Sequence, residues 1–501
     1  YGDHRDLHLS LRRQRQMCIR DRLVHVLTIP SVGYKKAAQL GISMDTAAST
    51  KPGVVDASKG ALFVLFLVTV IDMIGFGIVI PFLTYLVEDL TPASQEASIG
   101  IWVGVLMTSY SAAQFLFSPF WGSLSDRIGR RPVLMVGLVG NTVFFAMFGL
   151  ANTLIMALVA RFLAGVFNGN LAVARAYIGD VSTPQQLATR MGLIGAAFGL
   201  GFTFGPFIGG ELSDPASRWA IFEGTVFDAN PYFLPCAVAS LLSILSLLVA
   251  VRSLPESLPL ERRTQGARKS WSNGMVSTMK STASMLRSGS VSVVIWVSML
   301  FIFGFTIMHA VFILYTQMSP ADGGLAFSEA ENGRVFAMIG VTGILTQALL
   351  IGPLSRKFGT RRLIPISIIL TGIGLVLIPY TQFESRWVHI LIVGALISVG
   401  NGLFQPSSSS FLTRIAKSEG YELGVVMGAQ ESVGALSRIL GPLTGGFVWV
   451  FTDAREWPLD YHTAFHLCGV LMILAAFMSL RLPTLPNDDA PGFSQPLNES
   501  E

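Results

Sequence analysis

Apolar positions along this 501-residue chain come in long, nearly unbroken runs separated by short polar breaks. A run of about twenty such residues matches a helix that crosses the ~30 Å hydrocarbon layer of a bilayer. The runs predict helices at roughly 60–87, 99–121, 132–151, 154–179, 190–212 and 231–251, then 290–316, 332–352, 363–381, 387–412, 423–451 and 463–481. The longest polar stretch between them, Arg252 to Gly289, parts the chain into two sets of six. The expected fold is all-α and integral to a membrane: twelve transmembrane helices in two pseudo-symmetric six-helix bundles. Residues 1–59 form an N-terminal segment, 60–251 the first bundle, 252–289 a cytoplasmic central loop, 290–482 the second bundle and 483–501 a C-terminal cytoplasmic tail.

Composition supports the bilayer reading. Hydrophobic residues make up 51% of the chain and charged residues 13%, where a soluble domain carries about 25% charged residues. The mean hydropathy is +0.57. Basic residues collect in alternate connections: Arg127, Arg130 and Arg131; Arg190; the central stretch with Arg262, Arg263, Arg268, Lys269, Lys280 and Arg287; Arg356, Lys357, Arg361 and Arg362; Arg414 and Lys417. The other connections are acidic, with Glu88, Asp89, Glu96, Asp214, Glu223, Asp228, Asp322, Glu329, Glu384, Asp453, Glu456 and Asp460. Basic connections stay on the cytoplasmic side, so both termini are expected there. The net charge of +4 is spread over these loops and does not point to nucleic acid. Cys18, Cys236 and Cys468 are far apart, which excludes a disulfide framework or metal cluster as the organising feature. Tyr1 to Arg22 is rich in Arg, His and Asp without helical period and reads like translated non-coding sequence. Met44 reads as a start, and residues 1–43 stay outside the fold reasoning. The first span could double as an uncleaved signal anchor.

The two sets of six repeat each other. After the second run stands Gly122-Ser-Leu124-Ser-Asp126-Arg127-Ile-Gly129-Arg130-Arg131, and after the eighth Gly352-Pro-Leu354-Ser-Arg356-Lys357-Phe-Gly359-Thr-Arg361-Arg362, an offset of 230 residues from Gly122 to Gly352. The fifth run holds Gly205-Pro206-Phe-Ile-Gly209-Gly210 and the eleventh Gly441-Pro442-Leu-Thr-Gly445-Gly446, an offset of 236 from Gly205 to Gly441. Unrelated motifs repeating at nearly one offset mean a duplicated unit.

These motifs carry a family resemblance. Gly122 to Arg131 resembles the signature of the major facilitator superfamily, whose plan is two parallel six-helix halves around a central site. The Gly205-Pro206 element resembles the antiporter signature of twelve-span drug/proton exchangers. Arg161 in Arg161-Phe-Leu-Ala-Gly165 resembles the basic residue of their fourth span, and Asp72 in Asp72-Met-Ile-Gly75-Phe-Gly77-Ile-Val-Ile-Pro81 resembles the first span of tetracycline-transporter-like proteins. Leu254-Pro255-Glu256-Ser257 is also common there. The resemblance covers residues 60–482 and implies a proton-coupled exporter that is not an enzyme. The second repeat departs from the signature at Arg356, where an acidic residue is usual, and Ala197 stands where the fifth span usually has glycine.

Each constellation has a physical reading. Glycines in Gly122–Arg131 allow tight turns, and Asp126 can cap a helix N-terminus or pair with Arg127, Arg130 or Arg131. The motif is a latch between halves or a solvated basic turn that fixes topology. Gly201, Gly205, Gly209 and Gly210 clear one face of the fifth span for close packing, and Pro206 bends it. This serves either exchange without leak or ordinary tight contact. Charges within spans are costly and usually functional. Asp72 is a proton carrier or part of a permanent polar network. Arg161 is its coupling partner, a structural ion pair, or a side chain that snorkels. Glu431 and Arg438 are seven residues apart on one helix face. They are cavity candidates together with His309, Gln347, Gln405, Asn168 and Asn170, and a lone histidine such as His309 is more often a packing residue. Asn168, Asn170 and the Ser407–Ser410 run either line a pocket or glue helices. No phosphate loop, zinc helix or catalytic set stands out, so no ATP, metal or other cofactor is expected. The expected partners are a small-molecule substrate, protons and the lipid bilayer. We expect a monomer, multi-pass in a cell membrane, with a bacterial inner membrane as host because no long lumenal loop or sorting segment is visible. A metabolite, sugar or lipid carrier, or a transport-inactive scaffold or receptor, are the alternatives.

Overall fold

The computed structural model describes residues 59–260, 263, 279–287, 289–452 and 459–484. Residues 1–58, most of the central basic stretch and the C-terminal tail lie outside them, and with them the expectations for residues 1–43 and Cys18.

The predicted runs are helices. In chain order, span 1 is Lys59–Ile78, followed by a short helix Leu83–Leu90, and span 2 is Ile99–Ile128. Span 3 is Arg130–Gly149, span 4 is the pair Leu154–Phe167 and Asn170–Val181, span 5 is Pro184–Leu212 and span 6 is Phe233–Ser253. Span 7 is Gly289–Gln317, and span 8 is Glu329–Leu345 with a π turn over Thr346–Leu350. Ile351–Leu377 completes span 8 and forms span 9. Spans 10, 11 and 12 are Arg386–Ser418, Leu423–Thr452 and His462–Ser479. No strand occurs among the described residues.

One helical stretch runs 52 residues, from Glu329 to Tyr380. At 1.5 Å per residue a straight helix of that length would be about 78 Å, far more than a bilayer spans. Gly359, at φ 73° and ψ 154°, breaks it, so eleven apolar helical stretches comprise twelve spans. Gly129, at φ 108°, separates spans 2 and 3 in the same way. Here the structure departs from the sequence expectation. The repeated motifs read as loops, yet Gly122–Ile128 and Gly352–Phe358 are helical extensions of spans 2 and 8, and the turn is confined to one glycine.

Span 4 breaks at Asn168–Gly169. A break inside a bilayer frees backbone carbonyls that must find donors. The Trp121 indole donates to the Val166 carbonyl at 2.5 Å and the Gln114 amide to that of Asn168 at 3.3 Å, both from span 2.

The glycine rows pack the halves. Side chains added at Gly201, Gly205 and Gly209 would collide with Met73, the Ile74 and Gly77 backbone, and Ile78 of span 1. In span 11, Gly441 and Gly445 meet Thr306 and Ile307 of span 7 in the equivalent way. The last glycine of each motif faces the other half: Gly210 rests on the backbone of Glu329 and Gly333 in span 8, and Gly446 on Gly100 in span 2. These contacts cluster at the acidic-loop end. There the Tyr85 hydroxyl donates to the Phe327 carbonyl at 2.5 Å, and Asn332 donates to the Tyr85 oxygen at 2.9 Å. Arg334 pairs with Glu211 at 2.5 Å. At the basic-loop end, by contrast, a side chain at Gly122, Gly179, Gly192, Gly195, Gly352, Gly424 or Gly428 would meet nothing within 4 Å. The halves are joined at the acidic end and parted at the basic end, leaving a cleft open on that side.

Closure at the acidic end thus requires Gly446 to lack a side chain. Gly446→Leu is expected to hold that end open. An impermeant maleimide should label Thr108→Cys, whose threonine now donates to the Ile439 carbonyl at 2.8 Å across the closed seam. Labelling should be faster by a factor of roughly ten when Gly446→Leu is also present. With Cys18 replaced by serine, the remaining native Cys236 and Cys468 are fully buried and give a low background. Equal labelling rates would show that the glycine contact does not control closure.

Candidate functional site

Asp72 sits on span 1, 2% exposed, and its Oδ1 accepts a hydrogen bond from the Asn141 amide of span 3 at 2.9 Å. Asn170 also lies within reach of the carboxyl, but neither of its polar side-chain atoms completes a hydrogen bond. No basic residue pairs with Asp72 among the described residues. A buried charge without a partner is costly, and a carboxyl group can escape that cost by binding a proton. The sequence signal for Asn141 is slight, one of two adjacent polar residues, with Thr142, in an otherwise apolar run.

Arg161 is 3% exposed in the same half. It forms no ion pair with Asp72. Its guanidinium lies over the Tyr110 ring at 4.9 Å and the Phe148 ring at 5.5 Å, an arrangement in which the ring faces attract the cation. Its Nε and Nη1 have no hydrogen-bond acceptor. The Asn168 amide donates to the Tyr110 hydroxyl. Asn168 and Asn170, both at most 2% exposed, are therefore interhelical contacts of the first half.

The signature network is internal to each half. Arg130 pairs with Asp126 at 2.6 Å and with Asp180 at 3.0 Å, and donates to the Ser125 hydroxyl at 2.6 Å. The Glu256 carboxylate, from the Leu254–Ser257 motif, accepts the backbone N–H groups of Arg130 at 2.8 Å and Arg131 at 3.2 Å. It caps the N-terminus of span 3, where the helix dipole favours an anion. Arg131 donates to the Val251 carbonyl at the end of span 6. Its counterpart Arg361 donates to the Leu482 carbonyl after span 12 at 3.1 Å. The same arginine thus ties the turn to the last span of its half in both repeats. Arg127 and Arg356 are exposed.

Glu431 and Arg438 meet on span 11 at 3.0 Å, and Glu431 also faces Arg175 of span 4 at 3.6 Å. Nothing in the sequence sets Arg175 apart, because span 4 also offers Arg161 with a motif around it. His309 lies between Phe202, at 6.4 Å, and Phe305, at 4.7 Å. Ser408 meets Ser298 at 2.9 Å, with Gln430 donating to both. This knot joins spans 10, 7 and 11. Gln347, on the π turn, and Gln405 are exposed.

Two six-helix halves around a cleft, with charged groups buried within the first half and a partly exposed charged bridge between the two, define a polytopic membrane transporter. The chain belongs to the Major Facilitator Superfamily, whose family model matches residues 65–348 and 323–498. It is 28% identical over 405 residues to a probable peptide/nitrate transporter of Arabidopsis thaliana, covering 78% of this chain and 84% of that one. It is 29% identical to the class C tetracycline resistance protein of Escherichia coli, covering 80% and 92%. The crystal structure of a D-xylose–proton symporter superposes with a TM-score of 0.64 at 16% identity, covering 86% and 98%. The Arabidopsis relative and the symporter are transporters by name, and the family is one of transporters rather than enzymes.

The Glu256 cap is expected to be structural. Glu256→Ala should lower stability by about 1–2 kcal/mol, read as a fall in the thermal midpoint of the detergent-purified protein. Glu256→Gln should lose less, because its amide oxygen still accepts. An unchanged midpoint in Glu256→Ala would show that the two N–H groups find other acceptors.

Proposed function

We propose that this chain exports a drug-like or amphipathic small molecule in exchange for protons, by alternating access. The observation that carries this is Asp72, a carboxyl group buried in span 1 with an amide neighbour and no counter-cation among the described residues. Its proton is the one exchanged. Asp72 is followed by Met73, on which Gly201 of span 5 packs. Movement of span 5 against span 8 therefore changes the surroundings of Asp72 directly. Similarity to tetracycline resistance proteins supports export.

In this reading the basic loops face the cytoplasm, so the structure is the inward-facing state. Substrate enters from the cytoplasm as the proton leaves Asp72. Parting of Gly210 from span 8 and Gly446 from span 2 opens the outer end, and Asp72 takes a proton there. Arg161, held over Tyr110, senses this charge through that ring, which lies 5.3 Å from the Phe76 ring at a 43° tilt. Asp126 latches the basic end when it closes. A potential of 100 mV supplies about 2.3 kcal/mol per charge moved, enough for more than tenfold accumulation. The protein works as a monomer.

In everted vesicles with an imposed proton gradient, a transported compound should dissipate the gradient through the wild type but not through Asp72→Asn. Asp72→Asn should still insert, fold and equilibrate the compound downhill. Uphill export by Asp72→Asn at the wild-type level would remove Asp72 as the carrier and return the metabolite-carrier alternative to first place.

A further inference from the structure

Three charged side chains within the spans have no part in that proton path. Arg175 lies six residues before the end of span 4, Glu431 eight residues into span 11 and Arg438 seven further on. The two oxygens of Glu431 take different partners: Oε1 faces Arg438 Nη2 at 3.0 Å and Oε2 faces Arg175 Nη2 at 3.6 Å. One acid thus bridges two arginines from opposite halves. All three sit among packed helices yet keep 38%, 47% and 40% of their side chains exposed, for Arg175, Glu431 and Arg438 in turn. Gly179, one turn beyond Arg175, and Gly428, almost one turn before Glu431, face open space. The cluster therefore looks into the open cleft.

Its charge does not balance. Two guanidinium groups share one carboxylate, and among the described residues no other acid pairs with either. Asp72 cannot serve, being buried beside Asn141. An uncompensated cation inside a membrane protein is costly and marks a binding function. Guanidinium groups are suited to carboxylate, sulfonate and phosphate by their paired donors.

Above the cluster, toward the closed end, the cleft is roofed by rings. Phe76 meets Phe202 at 5.6 Å, Phe202 meets His309 at 6.4 Å, and His309 meets Phe305 at 4.7 Å. All four are partly exposed. The roof begins close to the arginines. Ile302, one turn before Phe305, packs on Gly434, one turn before Arg438.

We propose that the cleft binds an aromatic organic anion, its acidic group held by Arg175 and Arg438 in place of Glu431 and its rings beneath Phe76, Phe202, Phe305 and His309. Glu431 is the internal stand-in that balances the arginines in the empty site and is displaced by substrate. This names the substrate class of the exporter and rests on that reading for direction of transport, though not for binding.

The test uses the purified full chain in detergent with two probes of similar shape and opposite charge, fluorescein and rhodamine 123, read by fluorescence anisotropy in mildly alkaline buffer. Fluorescein should bind roughly tenfold tighter or more. Arg175→Gln and Arg438→Gln should each weaken it roughly tenfold, and Arg438→Lys, which keeps the charge, should weaken it less. Glu431→Gln should tighten it, a gain that misfolding cannot produce. Short-chain phosphatidic acid, which has the charge but no rings, should displace fluorescein poorly. Tighter binding of rhodamine 123, or weaker fluorescein binding in Glu431→Gln, would overturn the proposal. Displacement by phosphatidic acid as effective as by fluorescein itself would overturn the aromatic assignment in favour of a lipid headgroup. Because no proton gradient is present, these outcomes are independent of whether Asp72 couples export to protons.

Discussion

Backbone lies directly on backbone where span 5 crosses span 1 and where span 11 crosses span 7, and the rest of the architecture depends on that closeness. Lipid tails are as apolar as leucine, so helices in a bilayer gain little by burying leucine against leucine. They gain by close packing, which small residues permit. Gly201, Gly205 and Gly209 occur at four-residue spacing and so line one face. The adjacent Gly210 points about 100° away, to the other half. One motif therefore does two jobs: it fixes a helix within its own bundle and offers a smooth contact to the opposite bundle. Repeated at Gly441–Gly446, it builds the whole seam at the acidic end.

That seam contains few side chains that must be unpicked. Gly210 on Gly333 and Gly446 on Gly100 present bare backbone. The polar ties across them are few: the Tyr85 hydroxyl, Arg334 to Glu211, and Thr108 to the Ile439 carbonyl. A contact of this kind can part without exposing large apolar side chains to water, which suits a seam that must open and close.

Charges within the spans are handled in three different ways. Asp72 has an amide partner only; Arg161 is placed on two aromatic faces; Arg175, Glu431 and Arg438 form an exposed bridge. The first two are sealed inside one half and change only when that half is rearranged. The third spans both halves and meets the open cleft, so only there can a solute replace a protein group directly. The signature motif shows the opposite economy. Arg131 and Arg361 keep one structural contact in both repeats, to a carbonyl at the end of the sixth or twelfth span. The Asp126–Arg130–Asp180 cluster belongs to the first repeat alone, where the second has Arg356 and Thr360.

Twelve spans, two repeated halves, the close-packing glycines and the presence of Asp72 and Arg161 inside spans were legible in the sequence. Each follows from a local rule: a run of apolar residues long enough for a bilayer, a motif recurring at one offset, a charge where none is cheap. Which charges meet could not be read this way. Arg161, read as a coupling partner of Asp72, a structural ion pair or a snorkelling side chain, stands buried over Tyr110. Glu431 was seen with Arg438, seven residues off on the same face, while Arg175 comes from 256 positions earlier in the chain. Asn168 and Asn170, read as pocket lining or as glue between helices, are buried contacts between helices. Helical periodicity tells which residues share a face of their own helix. Which helix that face meets, and whether water or protein lies opposite, depends on how twelve helices pack in three dimensions, and only the tertiary structure decides it.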